Sequence, residues 1–256
     1  MATSERPERA GSGKSVFCNP DFVERYIALR RRSGSPNVVL DEQASYELTP
    51  PLQGLRVLDL GCGWGNFARY AVGRGAKRVT GLDHSVQMLE IANSHGSDPK
   101  IEYVLADIEE EEFPVDSFEL VFSGLTLHYI SDLRRLFANV RRVLVPGGTF
   151  VFSVEHPIKT AHDEAWLFGD DGNRIAWALR DYGREGPRTT TWLDCSVLKF
   201  HRKIETYFGL LLDSDFTITA LKEAQPTAED ITDHPSIYYE VIRPPFFAVA
   251  ARTAMK

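Results

Sequence analysis

The strongest constraint in this sequence is a short apolar run that leads directly into three alternating glycines. The run Val57-Leu58-Asp59-Leu60 has the character of a strand, Gly61, Gly63 and Gly65 come next, and a helix-like segment follows. Glycine permits a sharp turn and lets the backbone approach a ligand that a side chain would push away. The pattern therefore predicts a nucleotide-like ligand at a strand-to-helix turn.

The spacing of these glycines narrows the choice of ligand. The dinucleotide fingerprint is G-x-G-x-x-G, in which the third glycine follows the second by three positions. Here the third glycine follows after two positions, and Asn66 occupies the last place of the fingerprint. The spacing disfavours an NAD-dependent oxidoreductase. A glycine loop alone is a weak signal, because tight turns also use glycine for structural reasons.

Length, composition and charge favour a single α/β domain with an added element and without a large nucleic-acid surface. The chain has 256 residues, of which 43% are hydrophobic and 25% charged, as in ordinary globular proteins. Its net charge of −7 argues against a nucleic-acid partner, and Arg30-Arg31-Arg32 is interpreted as a solvated helix end. No apolar run approaches the roughly 18 residues that span a bilayer. We therefore expect a cytoplasmic monomer or homodimer with no membrane partner.

The N-terminus and the cysteines predict no additional site. Residues 1–15 are polar and are predicted to be a disordered tail, so that the domain spans 16–256. Gly13-Lys14-Ser15 ends like a phosphate-binding loop, but Glu8 stands where that loop requires its first glycine. Three scattered cysteines predict free thiols and no metal site: Cys18, Cys62 and Cys195.

Strand-like and helix-like segments alternate through most of the chain. Strands are predicted at 55–60, 78–82, 101–104, 118–123, 148–154 and 246–251. Helices are predicted at 17–32, 66–73, 85–94 and 132–144, and a helix followed by a strand within 200–223. This alternation predicts a parallel sheet with helices on both faces and a ligand at the carboxyl ends of its strands.

Local signals mark the ends of two of these helices. Asn19 or Asp21 is expected near the start of the first helix, and Ser131 can cap the start of the helix at 132–144. Pro146-Gly147-Gly148 is expected to separate that helix from the next strand.

Residues 156–200 interrupt the alternation with a segment rich in aromatic, charged and glycine residues. An insertion of this length in a compact domain is usually a lid or a binding loop, so we predict a substrate cap at 156–200. Its tryptophans either form an aromatic wall for a planar or cationic acceptor or make the core of the cap: Trp166, Trp177 and Trp192.

Acidic residues follow the second and third predicted strands. Asp83 lies 22 positions beyond Gly61, where a carboxylate can accept hydrogen bonds from both hydroxyls of a ribose. The alternative is a role at the helix start, because a helical run begins near Ser85. Asp107 follows the third strand, and an acidic run at 109–112 makes a solvated turn the alternative there.

Four motifs in this order resemble the class I S-adenosylmethionine-dependent methyltransferases of the small-molecule type 11 kind. They are D-x-G-x-G-x-G from Asp59, the Asp83 strand end, Ala106-Asp107-Ile108, and Ser123-Gly124-Leu125-Thr126, with RRVLVPGGTFVFSVEHP at 141–157 in addition. The resemblance covers 55–155 closely. Segments at 19–30, 153–161, 185–193 and 199–216 look like a bacterial and fungal subgroup in which they cover the substrate cavity.

The resemblance implies a Rossmann-like fold with a seven-stranded, mostly parallel sheet, helices on both faces and a cap insertion. It also implies S-adenosylmethionine as cofactor and methylation of an O, N or C atom of a small, specialised-metabolite acceptor. Asp107 would bind the adenine amino group, the Ile108 amide a ring nitrogen, and Tyr26 would close over the methionine end. The implied cofactor-binding set is Tyr26, Asp59, Gly61, Cys62, Gly63, Asp83, His84, Met88, Asp107, Ile108 and Ser123.

Methyl transfer from a sulfonium depends mainly on in-line alignment of the acceptor with the methyl carbon. A general base helps where the acceptor must lose a proton. The predicted catalytic residues are His128, His201 and Tyr182, with Glu155 and His156 as further candidates. Packing for His128 and a structural turn for His156 are the alternatives.

Three other functions compete with this prediction. An NAD-dependent oxidoreductase and a non-catalytic S-adenosylmethionine-binding protein stay open. A nucleic-acid methyltransferase is disfavoured, because Ser123-Gly124-Leu125-Thr126 replaces the (N/D)-P-P-(Y/F) motif expected after strand four and the chain is acidic.

Overall fold

A seven-stranded sheet forms the centre of the protein. A computed structural model describes residues 13–32, 34–96, 98–162 and 165–255. The strands are β1 Arg56–Leu60, β2 Arg78–Asp83, β3 Ile101–Leu105, β4 Phe118–Gly124, β5 Leu144–Glu155, β6 Trp166–Phe168, β7 Arg174–Trp177, β8 Gly186–Trp192, β9 Cys195–His201, β10 Phe216–Ala224 and β11 Phe246–Thr253. The main sheet has the order β10-β11-β5-β4-β1-β2-β3. Strand β11 runs opposite to the other six strands, and all other neighbouring pairs in the sheet are parallel. This arrangement confirms the predicted fold class.

Helices cover both faces of this sheet. They are α1 Pro20–Arg30, α2 Gln43–Glu47, α3 Asn66–Gly73, α4 Val86–Ser94, α5 Leu133–Val143, α6 Pro157–Thr160, α7 Ile204–Asp213 and α8 Ala228–Asp233. Along β5, Phe150 and Phe152 pack with α5 and α7, whereas Val151 faces the α3 side. This alternation follows from the two-residue period of a strand. No helix within the described ranges combines the length and the apolar character needed to cross a bilayer.

Helix α5 confirms the helix predicted at 132–144 but not its predicted cap. Leu133, Leu136, Phe137 and Val140 are buried against the sheet, as their spacing requires. The cap is Asp132, whose carboxylate accepts the backbone N–H of Arg135. The prediction of Ser131 as the cap is wrong.

The actual contact of Ser131 and the start of β5 both differ from the sequence-based expectation. The Ser131 hydroxyl donates to Glu109 instead of capping α5, at 2.9 Å. Strand β5 starts at Leu144, so Pro146, Gly147 and Gly148 lie within the strand and do not precede it.

The N-terminal segment is helical from Gly13 onward. A 3-10 helix spans Gly13–Cys18, and the side chain of Asn19 then caps α1 by accepting the N–H groups of Asp21 and Phe22. The predicted tail at 1–15 lies outside the described residues except for its last three. Those three residues begin the 3-10 helix.

The insertion at 156–200 folds into helix α6 and two hairpins, β6–β7 and β8–β9, separate from the main sheet. The second hairpin packs on α1: the ring centroid of Trp192 lies 5.5 Å from that of Phe22 and 5.6 Å from that of Tyr26. Arg25 and Asp194 form an ion pair at 3.0 Å between the same elements. The insertion therefore lies against the amino-terminal helix, and its role as a substrate cap stays a prediction.

We expect Asp132→Ala to lower the free energy of unfolding by about 1 kcal/mol, because the N–H of Arg135 loses its acceptor. Asp132→Ser, which keeps a capping oxygen, should stay close to the wild type. Urea denaturation of the two variants measures both values. Equal stability of Asp132→Ala and the wild type would contradict the assignment of the cap.

Candidate functional site

Two adjoining cavities open where the parallel strands end. The first encloses about 990 Å³, including its mouth, and its wall contains Arg30, Asp59, Gly61, Gly63, Asp83 and Asp107. The second encloses about 980 Å³ and is lined by residues that include His128, Glu155, Lys159, Trp192, Lys199 and Arg243. The site thus has two compartments, each built from strand ends and the segments that cover them.

The glycine loop forms the floor of the first cavity. The N–H groups of Gly61 and Cys62 both donate to the carbonyl of Leu82 at 2.8 Å, which ties the loop to the end of β2. Gly61 has φ +75°, and a Cβ there would overlap the Thr126 hydroxyl. Gly63 has φ +53°, and a Cβ on it would meet no described atom within 4 Å. Gly61 is therefore required for packing, whereas Gly63 faces open space in the cavity that it lines.

Asp83 connects the glycine loop to the start of α4. Its Oδ2 accepts the N–H of Gly63 at 2.8 Å and its Oδ1 accepts the N–H of Ser85 at 2.9 Å. The cap of α4 is Ser85, whose hydroxyl oxygen accepts the N–H of Met88. Burial raises the pKa of the Asp83 carboxyl. Each oxygen keeps a further lone pair, so the carboxylate can still accept two ligand hydroxyls.

Three buried polar atoms at the first cavity have no hydrogen-bond partner among the described residues: Asp59 Oδ2, Asp41 Oδ1 and Arg30 Nε. Burial raises the pKa of Asp59 to about 8 and that of Asp41 to about 7. Unpartnered carboxylate oxygens suit an ammonium group, and an unpartnered guanidinium N–H suits a carboxylate. The cavity therefore fits a ligand with a zwitterionic amino-acid end, as the predicted cofactor has.

Arg30 and Asp41 are the residues that the sequence analysis missed. The interpretation of Arg30 as part of a solvated helix end is wrong, because its guanidinium is buried and pairs with Glu42 at 2.7 Å. Phe22, Tyr26 and Arg30 recur at four-residue intervals along α1, which places them on one face. That spacing is the signal that could have identified Arg30.

The other predicted cofactor residues lie in the first cavity, with one exception. Tyr26, Cys62, His84, Met88, Asp107 and Ile108 all line it. The Asp107 Oδ1 also accepts the N–H of Glu109 at 2.9 Å, as in the alternative of a turn. Ser123 does not line either cavity: it is fully buried, and its hydroxyl donates to the Leu60 carbonyl at 2.9 Å. The structure thus corrects the prediction for Ser123.

Four residues line both cavities and form their junction: Phe17, Tyr26, Leu125 and Tyr129. The ring centroid of Phe17 lies 5.4 Å from that of Tyr26 and 5.6 Å from that of Tyr129, both edge to face. Such packing holds aromatic side chains in defined positions. A ligand in one cavity therefore meets a ligand in the other across an aromatic boundary.

Glu155, at the end of β5, organises the second cavity. Its two carboxylate oxygens accept hydrogen bonds from Lys159 at 2.6 Å and from Lys199 at 2.7 Å. Burial alone would raise the pKa of Glu155, but the two ammonium groups hold it well below its usual range. Glu155 is therefore ionised, and a carboxylate with so low a pKa is only a weak base at neutral pH.

His128 lines the second cavity as a neutral imidazole. Burial lowers its pKa to about 3. The N–H of Glu155 points at its Nδ1 across a long 3.5 Å, which assigns the ring proton to Nε2. A group with so low a pKa is a weak base near neutral pH.

The other predicted catalytic residues lie outside both cavities. His201 accepts from Thr160 through Nδ1 at 2.8 Å and donates through Nε2 to the carbonyl of Tyr182 at 2.9 Å. Both ring nitrogens are thus occupied, and burial lowers the pKa of His201. His156 caps α6 by accepting the N–H of Ile158. The structure does not support a catalytic role for His201, Tyr182 or His156, since each has a structural contact away from the cavities.

The cap tryptophans do not form one wall. Trp166 and Trp177 pack edge to face at 5.1 Å, and the guanidinium carbon of Arg243 lies 4.3 Å from the ring centre of Trp177. Trp192 alone of the three lines the second cavity. In the described part of the chain, no cluster of three or more His, Cys, Asp or Glu side chains is arranged to hold a metal ion.

Comparisons with known proteins agree with this geometry. A family model described as a methyltransferase domain, of type 11, matches residues 58–152. An S-adenosylmethionine-dependent methyltransferase from Mesorhizobium loti has a similar structure, with a TM-score of 0.78 and 42% identity, and the match covers 88% of this chain and 99% of that one.

Two curated relatives differ in how much of this chain they match. An uncharacterised protein from Haemophilus influenzae is 31% identical over 254 residues, covering 94% of this chain and 98% of its own length. A malonyl-[acyl-carrier protein] O-methyltransferase from Serratia marcescens is 40% identical over 100 residues, which are 39% of this chain and 38% of that enzyme. The second similarity is thus confined to little more than a third of either chain.

We expect the stability of the protein to fall on acidification in part through His128. Its folded pKa of about 3 lies below the usual 6.5, so the unfolded chain binds the proton first. This contribution is complete above pH 6.5 and is lost as the pH falls toward 3. His128→Asn should remove it, so the difference in unfolding free energy between wild type and variant should change by about 1.4 kcal/mol per pH unit.

Urea denaturation at pH 7, 6 and 5 measures that difference. Parallel pH dependences for wild type and variant would show that His128 is not buried in the neutral form.

Proposed function

This chain belongs to the S-adenosylmethionine-dependent methyltransferases, and we propose that it methylates a small molecule bound in the second cavity. The observation that carries the proposal is the junction, where Tyr26 and Tyr129 line both the glycine-loop cavity and the covered cavity beside it. Membership of this family overturns the competing prediction of an NAD-dependent oxidoreductase. As a methyltransferase, the chain is also not a mere cofactor-binding protein.

The proposed adenosine site uses the ends of β2 and β3. Asp83 accepts hydrogen bonds from the ribose hydroxyls through lone pairs that Gly63 and Ser85 leave available. Asp107 accepts from the adenine amino group, while the amide of Ile108 donates to a ring nitrogen. Met88 and His84 line the same part of the wall.

The proposed methionine site uses the three unpartnered polar atoms. Arg30 Nε donates to the carboxylate, and Asp59 Oδ2 and Asp41 Oδ1 accept from the ammonium group. Gly61 and Cys62 bring the backbone beneath the sulfur end, and Tyr26 closes over it. Filling these positions would relieve the cost of leaving buried polar atoms unpaired.

The bound cofactor would supply a methyl group activated by its sulfonium, for transfer to a lone pair of the acceptor. The protein's own contribution is alignment across the junction and exclusion of water by Phe17, Tyr26 and Tyr129. We propose that His128 lines the acceptor as a neutral group and does not remove its proton. His201 and Tyr182 support the cap.

The identity of the methyl acceptor does not follow from the relatives. The matched family model ends at residue 152, before Glu155, Lys159, Lys199 and Arg243. These four residues line the second cavity. The similarity to the malonyl-[acyl-carrier protein] enzyme therefore supports S-adenosylmethionine as the methyl donor. It does not extend to the identity of the acceptor.

We expect Asp83→Asn to weaken binding of both S-adenosylhomocysteine and 5′-methylthioadenosine by about tenfold or more, because both ligands carry the ribose. Isothermal titration calorimetry measures the affinities. Glu90→Gln, on the exposed side of α4, is the matched control and should bind as the wild type does. Wild-type affinity in Asp83→Asn would remove the ribose assignment.

Arg30→Gln should separate the two ligands. It should weaken the binding of S-adenosylhomocysteine by about tenfold and leave the affinity for 5′-methylthioadenosine unchanged, because the second ligand lacks the amino-acid end. Arg32→Gln, two residues later and exposed, is the control. Equal weakening of both ligands by Arg30→Gln would place Arg30 away from the methionine carboxylate.

The acceptor itself is sought by mass spectrometry. Protein incubated with S-adenosylmethionine and a panel of carboxylic acids, amines and phenols should yield a product heavier by one methylene unit, together with S-adenosylhomocysteine. Substitution of Trp192 by Ala should reduce product formation more than cofactor binding, because Trp192 lines only the second cavity. Parallel loss of both would contradict the division into two compartments.

A further inference from the structure

The two cavities are lined by different kinds of ionisable side chain, mainly acidic in the first and mainly basic in the second. Five carboxylates and one guanidinium, that of Arg30, line the first cavity, which suits a cofactor bearing a sulfonium and an ammonium group. The second is lined by Lys159, Lys199 and Arg243 against Glu155 and Glu240, and His128 is neutral there. The described wall of the acceptor cavity therefore has an excess of one positive charge.

The internal ion pairs leave this excess on the two lysines, because Glu155 alone faces both of them, whereas Glu240 balances the charge of Arg243. Glu155 uses one carboxylate oxygen for each lysine. Arg243 donates through Nη1 to Glu240 at 3.0 Å, but its buried Nε has no hydrogen-bond partner within the described part of the chain. Arg243 is only 6% exposed. Burying a guanidinium with an unsatisfied N–H donor costs free energy unless a ligand accepts a hydrogen bond from that donor.

Aromatic rings hold the cations in place. The guanidinium carbon of Arg243 lies 4.3 Å from the ring centre of Trp177 and 5.1 Å from that of Trp166. The Lys159 ammonium lies 5.3 Å from the ring centre of Phe246. These contacts restrict the movement of both cations toward solvent. The cations are thus preorganised at the cavity wall.

We propose that the second cavity binds acceptors that carry an oxyanion, a carboxylate or a phosphate group, held by Arg243 and Lys159. This inference rests on the proposed function, which places the acceptor in this cavity. An anion would complete the Nε donor of Arg243 and balance the excess charge. The neighbouring sulfonium would add attraction across the junction of Tyr26 and Tyr129.

The test uses the full chain saturated with S-adenosylhomocysteine and two matched pairs of probes. Phenylacetate is compared with phenylacetamide, and phenyl phosphate with phenol, by isothermal titration calorimetry. We expect at least one anion to bind about tenfold more tightly than its neutral partner, because charge-assisted hydrogen bonds to a buried cation are strong. The pair with the larger difference identifies the preferred group. Equal affinities within both pairs, or no measurable binding of either anion, would overturn the proposal.

Substitutions test whether residues of the cavity wall cause this difference in affinity. Arg243→Met should reduce anion affinity about tenfold without changing the affinity for S-adenosylhomocysteine, and Arg243→Lys should restore part of it. Arg180→Met, an exposed cation of the cap, should bind as the wild type does. Unchanged anion affinity in Arg243→Met would overturn the assignment.

Lys159→Met provides the same measurement at a less buried position if Arg243→Met does not fold. Failure of the proposed function has a separate signature. A wild-type protein that does not bind S-adenosylhomocysteine, or methylates none of the panel, would refute that function whatever the probes show. Selective binding of amides and phenol in a competent enzyme would refute only the anion site.

Discussion

The parallel alignment of β1, β2, β4 and β5 is the constraint on which the site depends. Because these strands point the same way, Gly61, Asp83, Leu125 and Glu155 emerge at one edge of the sheet although they are far apart in the chain. The loop at Gly61 is tied to the end of β2 by the carbonyl of Leu82. A shift of one strand along its neighbour would therefore separate the floor of the first cavity from its carboxylates.

Acidic and basic side chains lie at different places along this edge of the sheet. Carboxylates gather where β1 and β2 end, and cations gather where β5 ends and the cap begins. Phe17, Tyr26 and Tyr129 lie between the two groups and replace water with low-polarity rings. Electrostatic interactions are stronger where water is excluded, so the boundary preserves the difference between the two compartments. A cationic methyl donor and an anionic acceptor would each be drawn to its own side.

The features predicted correctly were those with a local signal. Alternating apolar runs predict the strands of the main sheet, and the glycine spacing predicts the turn after β1, where Asp83 accepts the N–H of Gly63. The errors arose from long-range contacts. His201 resembles a catalytic residue until Thr160 and the Tyr182 carbonyl occupy both its nitrogens, and Arg30 resembles a solvated residue until Glu42 covers it. No residue spacing in the sequence indicates that the guanidinium of Arg243 packs on the ring of Trp177.

The insertion determines what the second cavity can hold. It contributes Lys159, Trp192 and Lys199 to the wall, and Trp177 to the support of Arg243. Its lysines meet Glu155, which ends a strand of the sheet, so the placement of the insertion is coupled to the edge that also positions the cofactor cavity. A change of acceptor could then be achieved by changing the insertion while the glycine loop stays as it is. Under the proposed function, acceptor specificity and methyl donation are therefore separable, and Glu155 connects the two cavities with the insertion.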